Sequence, residues 1–282
     1  MQREEAGMNN LRVGLIQMRV NADKADNLRR AAEGVAACAQ QGASVVALPE
    51  MFCCPYHTAN FPLYAEPEGG PAWCALAAAA RDNQVTLVAG SMPEVDAAGR
   101  VYNTCYIFDP AGAQIGKHRK VHMFDIDIPG RQTFRESATL SPGNSWTVVD
   151  TPACKLGVAV CYDLRFPELA RLMVNAGAKV FVIPGAFNMT TGPAHWEVLF
   201  RACAIDNQVF ALGCAPARDE GASYVSYGNS LVVTPWGQVT HRLGGEEGLL
   251  LADLDLDEVD RVRAELPLLK QRRTDLYEVK AR

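Results

Sequence analysis

The stretch Lys155–Ile183, KLGVAVCYDLRFPELARLMVNAGAKVFVI, decides how this chain folds. Lys155–Val160 is apolar enough for a buried strand, and it runs straight into Cys161 and a short polar turn. Phe166–Ala176 reads as a helix with Gly177 at its C-terminal cap, and Lys179–Ile183 is a second buried strand. Strand, helix and strand therefore follow one another within thirty residues.

The alternation continues in both directions. Toward the N-terminus, Leu11–Met18, Ser44–Leu48 and Val85–Ser91 read as strands, and Asp26–Gln41 and Pro71–Asn83 as Ala-rich helices. Val101–Asp109 and Gln114–Arg119 form a hairpin around Pro110–Ala113, and Trp146–Asp150 pairs with Lys155–Val160. Toward the C-terminus come a helix at Pro193–Asn207 with proline at its start, a strand at Val209–Cys214, a hairpin of Ser230–Thr234 with Gln238–Arg242, a strand at Gly248–Asp253 and a helix at Asp257–Leu266. Hairpins mixed with helix-linked strands predict mixed sheets. About a dozen strands are too many for one open sheet, so two packed sheets with helices outside are expected. The fold class is α/β, a four-layer αββα sandwich with two mixed β-sheets. One domain spans residues 1–282, with a core at 11–266 and a C-terminal tail at 267–282.

The chain has 282 residues, 49% of them hydrophobic and 21% charged, and a formal net charge of −5. This is globular composition. Mild acidity and the lack of a clustered basic face argue against a nucleic-acid partner. No apolar run reaches the length of a membrane span, and MQREEAGMNN has no apolar signal core. The expectation is a cytoplasmic protein with no membrane partner. Nine cysteines, with no CxxC among them, are expected as free thiols, most of them small buried hydrophobes.

Cys161 is the cysteine whose position differs. A side chain at a strand-to-helix turn sits at the carboxyl edge of a sheet, where active sites concentrate, and the N–H of Tyr162 can then face an oxyanion. Glu50 ends the apolar run Val45–Pro49, and Lys120 ends the strand Gln114–Arg119. Taken singly, these three read as a buried thiol, a loop carboxylate and a solvated lysine. Together they are the parts of an acyl-transfer site: a nucleophile, a base for its proton and a cation for the oxyanion. A Cys–His pair using His195 stays open on spacing alone. His118 and His122 have HxxxH spacing, but at a strand end rather than on a helix, so no metal is expected.

LPEMF around Glu50, HRKVHMFD around Lys120 and GVAVCYDLRFPE around Cys161 resemble the carbon–nitrogen hydrolase (nitrilase) superfamily over almost the whole chain, from Leu11 to Tyr277. FDIDIPG from Phe124, TFRES and LSPG from Thr133, PGAFNMTTGPAHWE from Pro184 and RRTDLYEV from Arg272 are most similar to its omega-amidase branch. The resemblance implies the αββα fold, a Glu50–Lys120–Cys161 triad, and a second glutamate, Glu136, that orients Lys120. It implies hydrolysis of the terminal amide of small 2-oxo acid amides through a cysteine thioester, with water as co-substrate, no cofactor, and a homodimer or higher assembly. Such a substrate carries a far carboxylate. Arg165 can grip it through two parallel bonds, although a salt bridge to Asp163 or Glu168 is the plainer reading. By similarity, Thr191 donates a hydroxyl, Phe187 walls the pocket and Tyr56 lines its entrance.

The rival readings inside the superfamily are a deaminated-glutathione amidase, an N-carbamoyl amide hydrolase and, less favoured, a nitrilase. Outside it stand a non-catalytic scaffold and a thiol redox sensor.

Overall fold

A computed structural model describes residues 9–130 and 132–282. The polar N-terminal segment read above lies, up to residue 8, outside the described residues. In chain order the elements are β1 (Asn10–Gln17), α1 (Lys24–Gln40), β2 (Val45–Ala47), α2 (Asn60–Tyr64), α3 (Pro71–Asn83), β3 (Thr86–Val88), β4 (Met92–Val95), β5 (Val101–Phe108), β6 (Gln114–Arg119), β7 (Asp125–Ile128) and β8 (Gln132–Arg135). They continue with β9 (Thr147–Asp150), β10 (Lys155–Val158), α4 (Pro167–Asn175), β11 (Val180–Pro184), α5 (Gly192–Asn207), β12 (Phe210–Cys214), β13 (Leu231–Val233), β14 (Val239–Arg242), β15 (Gly248–Asp255) and α6 (Asp257–Glu265).

Local chemistry sets several of these ends. The Asp23 side chain caps α1 by accepting from the Asp26 N–H at 3.1 Å, so the helix starts two residues before the expected position. Helices α3 and α4 begin at prolines, whose missing N–H costs nothing in a first turn.

Two mixed sheets form. The first has seven strands, ordered β15-β1-β2-β3-β5-β4 with β6 also on β5, and the second has six, ordered β14-β13-β12-β11-β10-β9. Their centres, β1-β2-β3 and β10-β11-β12, are parallel and the flanks antiparallel. Alternation along each central strand then sorts the side chains. Val13, Leu15, Val45 and Ala47 meet Leu156, Val158, Val180 and Val182 between the sheets, while Ile16 and Val46 face α1 and α3. Helices α4 and α5 cover the other side, where Met173 and Phe181 crowd Gly157 and Trp196 and Phe200 crowd Gly213. This is the expected αββα order of layers. No helix among the described residues is long and apolar enough to cross a membrane.

The strand expected over Val85–Ser91 ends as β3 at Val88, and a further short strand that was not expected, β4, follows at Met92–Val95. They share one edge of β5, since Thr104 pairs with Met92 on one side and Arg119 on the other, and Phe108 with Leu87 and Gln114 likewise. The break between them turns at Gly90, whose φ is +50° and whose added Cβ would lie 2.3 Å from the Pro49 carbonyl. The edge opens there so that the turn carrying Glu50 can nest against it: Ser91 N–H reaches the Pro49 carbonyl and Met51 N–H reaches the Ser91 hydroxyl.

Candidate active site

Three strand ends converge at one rim of the sandwich. β2 delivers Glu50, β10 delivers Cys161, and β6, which runs parallel to β2, delivers Lys120. The backbone there is strained where it matters. Met51 and Cys161 both hold left-handed φ values, +52° and +50°, a conformation that costs a residue with a Cβ about 1–3 kcal/mol. At Cys161 that turn brings the side chain out of the strand direction. Gly185 gives it room, because an added Cβ would lie 3.4 Å from Cys161 Cα and 3.1 Å from the Trp196 ring.

Lys120, Glu50 and Glu136 are fully buried and directly joined. Lys120 Nζ donates to Glu50 Oε1 at 3.0 Å and to Glu136 Oε1 at 2.9 Å. The remaining lone pairs are used. Glu50 Oε1 also accepts from Asn103 Nδ2 at 2.8 Å, and Glu50 Oε2 from the Ala186 N–H at 2.7 Å, across to the second sheet. Glu136 Oε2 accepts the Phe124 N–H at 2.7 Å. Two carboxylates around one ammonium leave a net negative charge in a dry place, and these neutral donors offset part of its cost.

Burial works against the Lys120 charge, but Glu136 and Glu50 outweigh it and hold the ammonium well above its ordinary pKa. Burial also raises Glu136, and the pull of Lys120 does not cancel burial and Glu50 together. Cys161 is pushed well up, first by burial and then by the Glu50 charge, so the resting sulfur is a thiol.

Cys161, Tyr162, Arg165, Phe187 and Thr191 line one narrow cavity, closed by Phe124, Ala186 and Tyr224. The Tyr162 N–H lies in the first turn of a short 3-10 helix, Cys161–Arg165, where amides have no acceptor within the helix. Arg165 forms no ion pair among the described residues. Its guanidinium lies 4.8 Å from the Phe187 ring centroid and 5.6 Å from that of Tyr162, Nη1 is 3.2 Å from His195 Nδ1, and the buried Nε has no partner. The salt bridge to Asp163 or Glu168 is thus absent, because Asp163 is held elsewhere by His118 and His122. Thr191 Oγ1 donates to Asn188 Oδ1 at 3.2 Å, and Phe187 packs edge-on against Trp196. His195 faces Arg165 rather than the thiol, so the Cys–His alternative finds no geometry.

Tyr56 lies between the expected entrance and the interior. It borders two outer cavities, but its hydroxyl turns inward, donating to Glu136 Oε1 and standing 3.3 Å from Glu50 Oε1. Asn103, Tyr224 and Asp163 were not singled out from the sequence. A signal existed for Asn103, a polar residue in the apolar run VYNTCYIF; none exists for Tyr224.

The carbon-nitrogen hydrolase family model matches residues 12–264. The chain is 51% identical over 275 residues to the omega-amidase NIT2 of Mus musculus, covering 98% of this chain and 99% of that one. Among solved structures, Saccharomyces cerevisiae Nit3, a member of branch 10 of the nitrilase superfamily, superposes with a TM-score of 0.86 at 40% identity, covering 94% of this chain and 97% of that one. An amidase of Nesterenkonia sp. AN1, solved with the acetamide moiety of fluoroacetamide added covalently at its active-site cysteine, is similar at a TM-score of 0.80 and 27% identity, covering 96% of this chain and 97% of that one. With three strand ends meeting in one buried charge cluster and a family model that spans most of the residues, the chain belongs to the carbon–nitrogen hydrolase family.

Proposed function

We propose that this protein is an omega-amidase, releasing ammonia from the terminal amide of small 2-oxo acid amides such as 2-oxoglutaramate and 2-oxosuccinamate. The observation that carries the reading is a half-buried guanidinium, Arg165, with no carboxylate partner among the described residues, on the wall of the same cavity as the thiol Cys161. An amide with a distant carboxylate fits between them. The similarity to omega-amidases over nearly the full chain supports the same substrate class, and the cysteine adduct in the Nesterenkonia amidase supports the covalent route.

The chemistry follows from the protonation states. Because Cys161 rests as a thiol, its proton must leave as the sulfur attacks the amide carbon, and Glu50 is the base that takes it. Lys120 stays charged between its two carboxylates, so it stabilises the oxyanion by field and hydrogen bond, together with the Tyr162 N–H, rather than as a proton source. Glu50 then passes the proton to the departing ammonia, leaving a thioester. Water, losing its proton to Glu50, attacks the thioester; the C–S bond breaks, Glu50 returns the proton to the Cys161 sulfur, and the dicarboxylate leaves. Glu136 and Tyr56 keep Lys120 and Glu50 in register through the bonds above. Thr191 and Phe187 shape the acyl pocket, and Arg165 takes the far carboxylate through paired hydrogen bonds.

Steady-state kinetics with ammonia detection test the reading. 2-Oxoglutaramate should be turned over with a kcat/KM at least about a hundredfold above glutamine, which sets an ammonium beside the carboxylate in place of the 2-oxo group, and above a simple nitrile or a carbamoyl amino acid, which lack the carboxamide on a carbon chain. A preference for any of the other three rejects it. The same reading carries a cytoplasmic homodimer as the working form, to be checked by light scattering and fractionation.

A further inference from the structure

The two histidines flanking Lys120 meet at a single carboxylate. Asp163 is buried and lies two residues after Cys161. Its Oδ2 accepts from the Val160 N–H at 3.1 Å, immediately before the cysteine, and from His118 Nε2 at 3.0 Å, two residues before the lysine. Its Oδ1 accepts from the Val121 N–H at 3.2 Å, the His122 N–H at 2.9 Å and His122 Nδ1 at 2.8 Å, all just after the lysine. The His122 ring is also stacked on Phe166, centroid to centroid at 3.6 Å. His118 Nδ1 lies 3.1 Å from the Thr147 hydroxyl of the second sheet. Burial opposes the charge on Asp163, but hydrogen bonds from His118 and His122 outweigh it and keep the carboxyl ionised far below its usual range.

These five bonds join segments that belong to different sheets. Lys120 follows β6 of the first sheet and Cys161 follows β10 of the second. A second tie between the sheets at this rim, from the Ala186 N–H to Glu50, locates the carboxylate but not the ammonium, and the His118 contact with Thr147 reaches only the start of β9. We propose that Asp163 is a positioning residue that clamps the backbone on both sides of Lys120 to the backbone before Cys161, and so sets the distance from ammonium to sulfur. The HxxxH spacing around Lys120 serves this clamp: each histidine gives one ring N–H to the same carboxylate from opposite sides of the lysine. This inference rests on the roles proposed above for Lys120 and Cys161.

The test separates placement from mere stability. A displacement near 1 Å in an active site can cost about 10²-fold in rate, so Asp163→Asn, purified folded, should lose about 10²-fold in kcat on 2-oxoglutaramate with KM changed less than about threefold. A gentler pair isolates one bond. His122→Phe keeps the ring stacked on Phe166 but loses the donor, and should lose about tenfold in kcat; His122→Asn restores a donor near the Nδ1 position and should recover most of it. The rate of Cys161 alkylation by iodoacetamide, which needs no omega-amide, should follow the same order. Folded Asp163→Asn with a kcat within about threefold of the unsubstituted protein, or equal rates for the two His122 variants, overturns the proposal. Should Asp163→Asn fail to fold, the His122 pair decides. If the unsubstituted protein does not turn over 2-oxoglutaramate, the substrate reading fails while the alkylation rates still judge the clamp.

Discussion

Arg119 and Lys120 are neighbours on the same polypeptide, yet they enter opposite kinds of ion cluster. Arg119 reaches Glu94, which accepts from Nε at 2.9 Å and Nη2 at 2.6 Å, from Thr104 at 2.6 Å and from Lys117 at 3.5 Å, and the guanidinium lies 3.8 Å from the Tyr102 ring centroid. Here burial raises the carboxyl, but the Arg119 and Thr104 bonds more than reverse it, and Glu94 sits below its ordinary pKa. One residue later, Lys120 is divided between two carboxylates, and Glu136 ends above its ordinary value. The first cluster has enough donors and cations for its anion and serves stability. The second carries an excess of negative charge beside a thiol that, in the proposed mechanism, gives up its proton. The two half-buried arginines differ in the same way: Arg119 is neutralised by Glu94, whereas Arg165 has no carboxylate among the described residues.

The contrast breaks first at the nucleophile. Cys161→Ala should reduce kcat by about 10⁴-fold or more while leaving the thermal midpoint within a few degrees, and residual turnover above that level in a clean preparation would end the covalent scheme. Lys120→Met keeps the length of the side chain and removes its charge. Its expected loss is about 10²–10³-fold in kcat, the usual worth of an oxyanion donor; a smaller loss would place Lys120 with the stabilising cations instead. Arg165→Ala should raise KM about 10- to 100-fold for amides bearing a far carboxylate and spare neutral amides, and equal losses on both kinds would count against the anion contact.

Effects on the other cluster should be confined to stability. Glu94→Gln is expected to lower unfolding free energy by about 1–3 kcal/mol, with kcat unchanged. The pH dependence carries a definite sign. Because the folded Glu94 pKa is depressed, its contribution is complete above the unfolded value, near 4.5, and is lost as pH falls through the folded one. Denaturant titrations at pH 6 and pH 4 should therefore show a smaller drop for Glu94→Gln than for the unsubstituted protein; an equal drop would remove Glu94 from the acid-labile set. Cys161 gives the smallest and sharpest signal. With burial first and Glu50 second holding the thiol protonated, its alkylation should be slow at pH 7 and still rising about tenfold per pH unit at pH 9, whereas the unfolded chain's thiols should begin to level off once pH passes about 8.5.

Most of the architecture was legible along the chain because its central strands are buried on both faces and three of its helices, α3, α4 and α5, carry a proline in the first turn. Pro71–Asn83 has the bounds read from sequence, and the hairpins β5–β6, β9–β10 and β13–β14 pair as expected. Four elements were missed for reasons of composition. β4 is only MPEV and continues an edge that Gly90 interrupts; β7 and β8, DIDI and QTFR, alternate too weakly and lie half exposed; α2 has five residues with a proline among them. Glu136 would pass for a solvated loop carboxylate on sequence alone, and the Phe124 N–H, Lys120 and the Tyr56 hydroxyl that surround it account for its burial.

Residue order by itself determined which side chains stand at strand ends, since apolar runs must be buried and polar groups are then excluded to their tips. That placed Glu50, Lys120 and Cys161 at edges without saying which edges meet. The packing of two sheets decided the rest: that β2, β6 and β10 finish at one rim, that Asp163 turns to His118 and His122 instead of Arg165, and that Arg165 is left with an unmatched charge. Periodicity records how each segment faces its own neighbours, whereas the pairing of charges far apart in the chain depends on distances that exist only once the sheets have closed on each other.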